Sequence, residues 1–116
     1  MHEMGIIASV LDVAERSAQQ AGADRVIGIT LSVGEMTEAI PDSLQFAFEA
    51  LSEGTMCEGA QLVVDMVRPR SICLECLNEF EHDRFHRFCP ECGSYETDLL
   101  GGRELEIASI DVEFDD

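Results

Sequence analysis

Basic residues are scarce in this sequence. Lysine and arginine together number 7 against 24 aspartates and glutamates, so the formal net charge is −17. A surface this negative repels the phosphate backbone of nucleic acids, and it attracts divalent cations and basic protein surfaces. Acidity can also serve solubility alone, and charge by itself favours that simpler interpretation. Nucleic-acid binding is therefore not expected.

Long apolar runs and a secretion signal are also missing. No apolar run approaches the roughly 20 residues that a membrane-spanning helix needs. The first residues do not form a basic region followed by an apolar stretch. Five cysteines, an odd number, suit a reducing compartment better than a framework of paired disulfides. These absences predict a cytoplasmic protein that does not enter a membrane.

The pattern of apolar residues predicts an α+β fold. Helical and strand periodicity predict, in chain order, a helix over 3–21, a strand over 25–33, a helix over 41–53, a strand over 61–68 and a last strand over 103–114. Three strands and two helices can form a two-layer unit. We expect a small three-stranded sheet with two helices over 1–69 and 101–116, and an inserted zinc-ribbon-like subdomain over 70–100.

The same periodicity assigns side chains to the core. The stripe of the first helix is Met4, Ile7, Leu11, Ala14, Ala18 and Ala21. The stripe of the second helix is Leu44, Ala47, Phe48 and Leu51. One face of the first strand is Ile27, Ile29, Leu31 and Val33. Gly22 is expected to cap the first helix, and a one-residue slip near Ala108–Ser109 predicts a bulge or a bend in the last strand.

Two cysteine pairs carry the most specific signal. Cys73-x-x-Cys76 is followed after twelve residues by Cys89-x-x-Cys92-Gly93. Two residues between cysteines let both sulfurs of a tight turn point at one ion, and two such turns supply a tetrahedron of thiolates. Gly93 permits the unusual backbone angle that the turn needs. Four thiolates leave no position for water, so we predict a structural zinc.

Other interpretations of these residues are weaker. A redox dithiol normally occurs once, at the start of a helix in a βαβ setting, and an iron–sulfur cluster is less expected than zinc. His82 and His86 could replace a cysteine or bind a second ion, but exposed loop histidines are the favoured interpretation. Cys57 stands alone and is expected to be a small, unreactive thiol.

The first three residues, Met1-His2-Glu3, form a second candidate metal site. The free α-amine, the backbone nitrogen of His2 and its imidazole can close two chelate rings on one ion, and the Glu3 amide could complete a square plane. Nitrogen-rich planar sites suit nickel(II) and copper(II). A frayed terminus is the plainer alternative. Carboxylates that could lie near the terminus are Glu35, Glu38 and Asp42, although they can also be solvated or capping residues, which is the preferred interpretation for Asp42.

Together these motifs resemble the HypA/HybF family of hydrogenase-maturation nickel metallochaperones. The resemblance rests on Met1-His2-Glu3, on Gly34-Glu35 after the first strand, and on the double cysteine motif before a final strand. It covers essentially the whole chain, and it implies a nickel-binding domain with an inserted zinc domain.

The resemblance implies a function and a set of site residues. The protein would help to insert nickel into [NiFe] hydrogenase, and in some organisms would serve urease. His2 would be the essential nickel ligand, assisted by the nitrogens of Met1 and by Glu3. The zinc ligands would be Cys73, Cys76, Cys89 and Cys92. The partners would be a HypB-type nickel-binding GTPase and the hydrogenase large subunit or the urease maturation machinery, with the chain monomeric or homodimeric.

Two other functions stay open on the residues alone. A zinc-ribbon adaptor that makes protein contacts without transferring nickel is compatible with the cysteine spacing. A small enzyme is the last choice, because no nucleophile constellation and no phosphate-binding loop occurs. We assign no catalytic residue.

Overall fold

The computed structural model describes residues 3–115. The elements in chain order are α1 (Glu3–Gln20), β1 (Arg25–Gly34), a 3₁₀ turn (Glu35–Thr37), α2 (Pro41–Ser52), β2 (Gln61–Val67), β3 (Arg70–Cys73), β4 (Glu79–Glu81), β5 (Thr97–Gly101) and β6 (Leu105–Glu113). One sheet has the strand order β2-β1-β6 and the other β4-β3-β5. The expected α+β fold with a cysteine-rich insertion is confirmed. Neither helix of the described part is long and apolar enough to cross a membrane.

The described chain divides into two compact units. We call residues 3–31, 39–65 and 106–115 the α+β unit, and Ser32–Glu38 with Met66–Leu105 the cysteine unit. The sequence-based boundaries at 69/70 and 100/101 concern metal-binding domains, whereas these two units are defined by compactness.

The two helices carry most of the core of the α+β unit. Its buried helical side chains are Ile6, Ile7, Leu11, Ala14 and Ala18 on α1, and Leu44, Ala47 and Phe48 on α2. Gly22 has φ +76°. The Ala23 N–H donates to the Ala18 carbonyl at 2.9 Å, which closes α1 as a left-handed glycine cap does. The predicted cap is therefore confirmed.

Three side chains assigned to the core are exposed, and one of them, Ala21, lies in the turn that follows α1. Met4 is 46% exposed, because the buried stripe of α1 begins at Ile6 and Ile7. Ile27 is 41% exposed while Val26 is fully buried. The buried residues at the start of β1 are the even-numbered Val26 and Gly28, so the predicted odd-numbered face is not the buried one there. From Ile29 onward the predicted face of β1 is buried.

The last strand is the least buried of the long elements. None of its nine residues is buried, and its half-buried positions are Ile107, Ile110 and Val112. The change from odd to even numbers between Ile107 and Ile110 is the slip that the sequence predicted near Ala108–Ser109.

The cysteine unit is a three-stranded antiparallel sheet built from short strands. β3 lies in the middle, with Ser71 opposite Phe80 of β4 and opposite Leu99 of β5. Its apolar core is small, with one cluster formed by Cys73, Phe80 and Cys89, and with Val33 and Pro69 also buried. A core of this size cannot offset the entropy of ordering the unit, which has 7 residues in Ser32–Glu38 and 40 in Met66–Leu105. The unit therefore needs a further cross-link, which the cysteines can supply.

Candidate metal centre

The four paired cysteines meet at one point. Their sulfur atoms all lie within 4.8 Å of one another, and they are the one metal-binding group of three or more side chains found among residues 3–115. Cys73 Sγ lies 3.6 Å from Cys92 Sγ, and Cys76 Sγ lies 3.6 Å from Cys89 Sγ. Those distances are far from the roughly 2.05 Å of a disulfide. They are near the 3.8 Å or so that separates thiolates about 2.3 Å from a tetrahedral zinc.

Two turns of the same design position these sulfurs. In the first turn the Cys73 carbonyl accepts the Leu77 N–H at 2.9 Å, and the Cys73 N–H donates to the Asn78 carbonyl at 2.9 Å. In the second the Cys89 carbonyl accepts the Gly93 N–H at 2.8 Å, and the Cys89 N–H donates to the Ser94 carbonyl at 2.9 Å.

The fifth residue of each turn has a left-handed backbone. Gly93 has φ +75° and Leu77 has φ +64°. The glycine was expected from the sequence, but the leucine was not, because a left-handed conformation is unfavourable for a residue with a Cβ. The hydrogen bond from Leu77 to Cys73 imposes it.

Two thiols of this cluster, those of Cys73 and Cys89, have lowered pKa values, so they favour binding of a cation. The N–H of Cys76 lowers the pKa of Cys73. Burial opposes ionisation of Cys89, but the N–H groups of Cys92 and Glu91 outweigh it and lower its pKa to about 6.

The pKa values of the other two thiols, Cys92 and Cys76, are raised. The Ser94 N–H favours the Cys92 thiolate, but the Cys73 sulfur and burial outweigh it and raise its pKa to about 12. The Asn78 N–H likewise favours the Cys76 thiolate, yet the Cys89 sulfur and burial raise its pKa. A bound metal ion is therefore needed if all four thiols are to be ionised at once. The set of four sulfur donors fits zinc.

His82 is not the exposed loop histidine that was expected. It is buried, with Nε2 2.7 Å from Ser71 Oγ and Nδ1 2.6 Å from the Asp83 carbonyl oxygen. Because a carbonyl only accepts, Nδ1 donates to it, and Nε2 and the Ser71 hydroxyl form the second hydrogen bond. The Nε2 contact joins β3 to the segment after β4, and the Nδ1 contact orients the ring within that segment. No sequence signal linked Ser71 to His82, since strand pairing brings them together.

His86 and Cys57 agree with their simpler interpretations. His86 is exposed, and its Nδ1 lies 2.7 Å from Asp83 Oδ1. Cys57 is fully buried. Burial, with help from the Glu15 carboxylate and against the Thr55 hydroxyl, raises its pKa to about 11. A thiol with these properties is a poor nucleophile and a poor metal ligand.

Met1 and His2 of the predicted nickel site lie outside the described residues. Glu3 is the first residue of α1, and its Oε2 lies 3.5 Å from the Ile40 N–H just before α2. Asp42 lines the same groove as Glu3 in the α+β unit. Glu38 lies in the cysteine unit, where it pairs with Arg84 at 3.2 Å. Glu35 also lies in the cysteine unit, and within the α+β unit Asp42 lies beside Glu3.

Gly34, the other residue of the family resemblance, is fixed by packing within the cysteine unit. Its N–H donates to the Glu104 carbonyl at 2.7 Å, and a Cβ here would overlap the backbone of Gly102. Gly102 has φ +120° and lies against Pro69. The two glycines therefore allow a close approach of two backbones that no larger residue permits.

Comparison with known proteins decides the family. A model of the family described as hydrogenase/urease nickel incorporation, metallochaperone, hypA matches residues 1–112. The chain belongs to the HypA family. The hydrogenase maturation factor HypA of Streptomyces avermitilis is 46% identical over 112 residues, which cover 95% of this chain and 86% of that protein. That of Geobacter metallireducens is 39% identical over 113 residues, which cover 97% and 100%.

A HypA structure has the same fold. The solution structure of the Ni metallochaperone HypA from Helicobacter pylori matches with a TM-score of 0.70, over 99% of this chain and 100% of that one, at 21% identity. The resemblance inferred from the motifs is therefore confirmed, and the four-cysteine cluster is consistent with a structural zinc in a HypA protein.

Proposed function

We propose that this chain carries nickel(II) and delivers it during maturation of [NiFe] hydrogenase, with urease as the other client class. The observation that carries the proposal is the HypA match over residues 1–112, which includes the Met1-His2-Glu3 start. The role is carriage of an ion rather than catalysis. We place it in the cytoplasm, without a nucleic-acid or membrane partner.

The nickel site is assigned to Met1, His2 and Glu3. The α-amine, the imidazole and backbone nitrogens supply the ligands, and Glu3 tunes the site from the first turn of α1. A carrier must hold nickel selectively and still release it, and a site of few side chains at a chain end lets an incoming protein replace the donors one at a time. Acid weakens such binding, because protons compete for the imidazole and the amine.

The zinc site is assigned to Cys73, Cys76, Cys89 and Cys92, in a zinc-binding domain over 70–100 that is inserted into a nickel-binding domain over 1–69 and 101–116. Zinc would offset half of the charge of the four thiolates and cross-link the two cysteine turns. The turns hold the sulfurs through backbone N–H groups, and Asn78 Nδ2 adds a donor 3.8 Å from Cys89 Sγ. Because the apolar core is small, folding of this domain depends on the ion.

The proposed partners follow from the role. A HypB-type GTPase would exchange nickel with this chain, and the hydrogenase large subunit or the urease maturation machinery would receive it. Homodimerisation is a further proposal. The chain's acidity favours basic partner surfaces.

Metal analysis of untagged protein tests the assignment. We expect one zinc and one tightly bound nickel per chain, and we expect His2→Ala to lose the nickel while it keeps the zinc and the fold. His86→Ala is the matched control, since His86 is an exposed histidine in the cysteine unit. Unchanged nickel stoichiometry and affinity in His2→Ala would remove the proposed site.

A further inference from the structure

A groove lies between the first turns of the two helices of the α+β unit. It has a volume of about 380 Å³ and is lined by Glu3, Met4, Asp42, Ser43, Phe46 and Ala47. The helices begin side by side here, since the Ile40 N–H reaches Glu3 Oε2. Ligand pockets run from about 300 to 1,000 Å³, so this groove suits one or two side chains.

The apolar residues of this groove are not needed for the core. Phe46 is 71% exposed and Met4 46%, and Ile40 beside them is 56% exposed. α2 already buries Leu44, Ala47 and Phe48. Single exposed apolar side chains are common, whereas two that line one groove, with a third beside it, indicate a contact surface.

The charged residues of the groove are both acidic. Neither Glu3 nor Asp42 forms an ion pair with any part of the chain that the structure describes. The α+β unit has only Arg16 and Arg25 as basic residues. A lysine or arginine from outside fits both features, because its stem can lie on Met4 and Phe46 while its charge faces the carboxylates.

We propose that this groove docks a basic, partly apolar segment of the protein that exchanges nickel with this chain. The proposal rests on the proposed function, because Glu3 directly follows His2 and a segment bound here stands beside the chain start. A second copy of the chain fits poorly. A symmetric pair through this groove would bring the carboxylates of both copies together, which like charges disfavour.

Binding of a defined peptide to the zinc-loaded, untagged full chain tests the proposal by nuclear magnetic resonance. The probe is a short peptide of lysine, leucine and serine, and its counterpart has glutamate in place of lysine. We expect only the lysine peptide to bind, with shifts centred on Met4 and on residues 42–47. Phe46→Ser and Asp42→Asn should each weaken binding about tenfold, which corresponds to about 1.4 kcal/mol.

Two matched variants separate local docking from general effects. Phe114→Ser removes another exposed phenylalanine, which is 58% exposed. Glu53→Gln removes the same charge as Asp42→Asn from the other end of α2, about 16 Å away at 1.5 Å per residue. That is about two screening lengths at physiological salt. Both controls should bind the peptide as the wild type does.

Several outcomes would overturn the docking proposal. Equal loss in Asp42→Asn and Glu53→Gln, equal binding of the two peptides, or shifts centred elsewhere would overturn the docking proposal. Self-association that Phe46→Ser abolishes would also overturn it in favour of a second copy. Nickel titrated without peptide keeps the two hypotheses apart. Nickel binding without peptide binding refutes the groove alone, and peptide binding without nickel binding refutes the nickel function and leaves the groove as a docking surface.

Discussion

Separate substitutions at the fifth residue of each cysteine turn, Leu77 in the first and Gly93 in the second, should change the zinc affinity in opposite directions. Leu77 and Gly93 have nearly the same left-handed backbone. A residue with a Cβ loses about 1–2 kcal/mol in that conformation. Glycine loses about 0.5–1 kcal/mol more than alanine on ordering. Leu77→Gly should therefore stabilise the first turn by about 0.5–1 kcal/mol, and Gly93→Ala should destabilise the second by a similar amount.

The surroundings of Leu77 and Gly93 add little to the effect of backbone conformation in these two substitutions. Leu77 is 69% exposed, so its removal deletes little buried surface. A Cβ on Gly93 meets nothing within 4 Å, so the cost comes from the backbone alone. On the proposal that zinc binding is coupled to folding of the cysteine unit, these energies convert to about a two- to fivefold change in the zinc dissociation constant.

Competition with a chromophoric chelator measures that constant. Gly54→Ala is the matched control, since Gly54 has φ +79° and open space around it in the α+β unit. It should lower the melting temperature without changing zinc affinity. Weaker zinc binding in Leu77→Gly, or no change in Gly93→Ala, would refute the view that backbone conformation at these two positions limits the site.

Three further predictions concern stability and reactivity. Removing zinc should collapse the amide dispersion of residues 70–100, because Cys73, Phe80 and Cys89 form too small a core. The helical circular dichroism of α1 and α2 should survive, and native-like dispersion without metal contradicts this. Gly34→Ala should lower the free energy of unfolding by about 1–3 kcal/mol in urea, as overpacking does. Gly5→Ala, which meets nothing within 4 Å inside α1, should not. Cys57 should resist alkylation at pH 8 in folded protein. Since its folded pKa is raised from 9.0 to about 11, its stabilising contribution is complete below pH 9 and is lost as pH rises towards 11. Cys57→Ala should flatten that decline, and rapid alkylation at pH 8 would show that burial does not protect the thiol.

Periodicity predicted the long elements because a helix such as α1 repeats its apolar residues over several turns. It did not resolve β3, β4 and β5, which have only three to five residues each. Such strands exist because the cysteine turns and the sheet register hold them, not because their own sequences favour them.

In the candidate site, too, local sequence patterns predicted some features, and contacts between distant residues determined the others. The cysteine spacing predicted the cluster, because two residues between ligands fix a turn whatever the rest of the chain does. The left-handed Leu77 and the buried His82 followed from contacts with Cys73 and Ser71, which no local pattern shows. Phe46 was left out of the predicted stripe of α2 and is exposed, yet only the structure places it in a groove with Glu3.

Nickel titration of untagged, zinc-loaded protein against the same protein with one residue added before Met1 tests the central claim most directly. If the chain start holds the ion, calorimetry will show one tight site in the untagged chain and none in the extended chain, with zinc content equal in both. Equal nickel affinity in the two proteins would contradict the account.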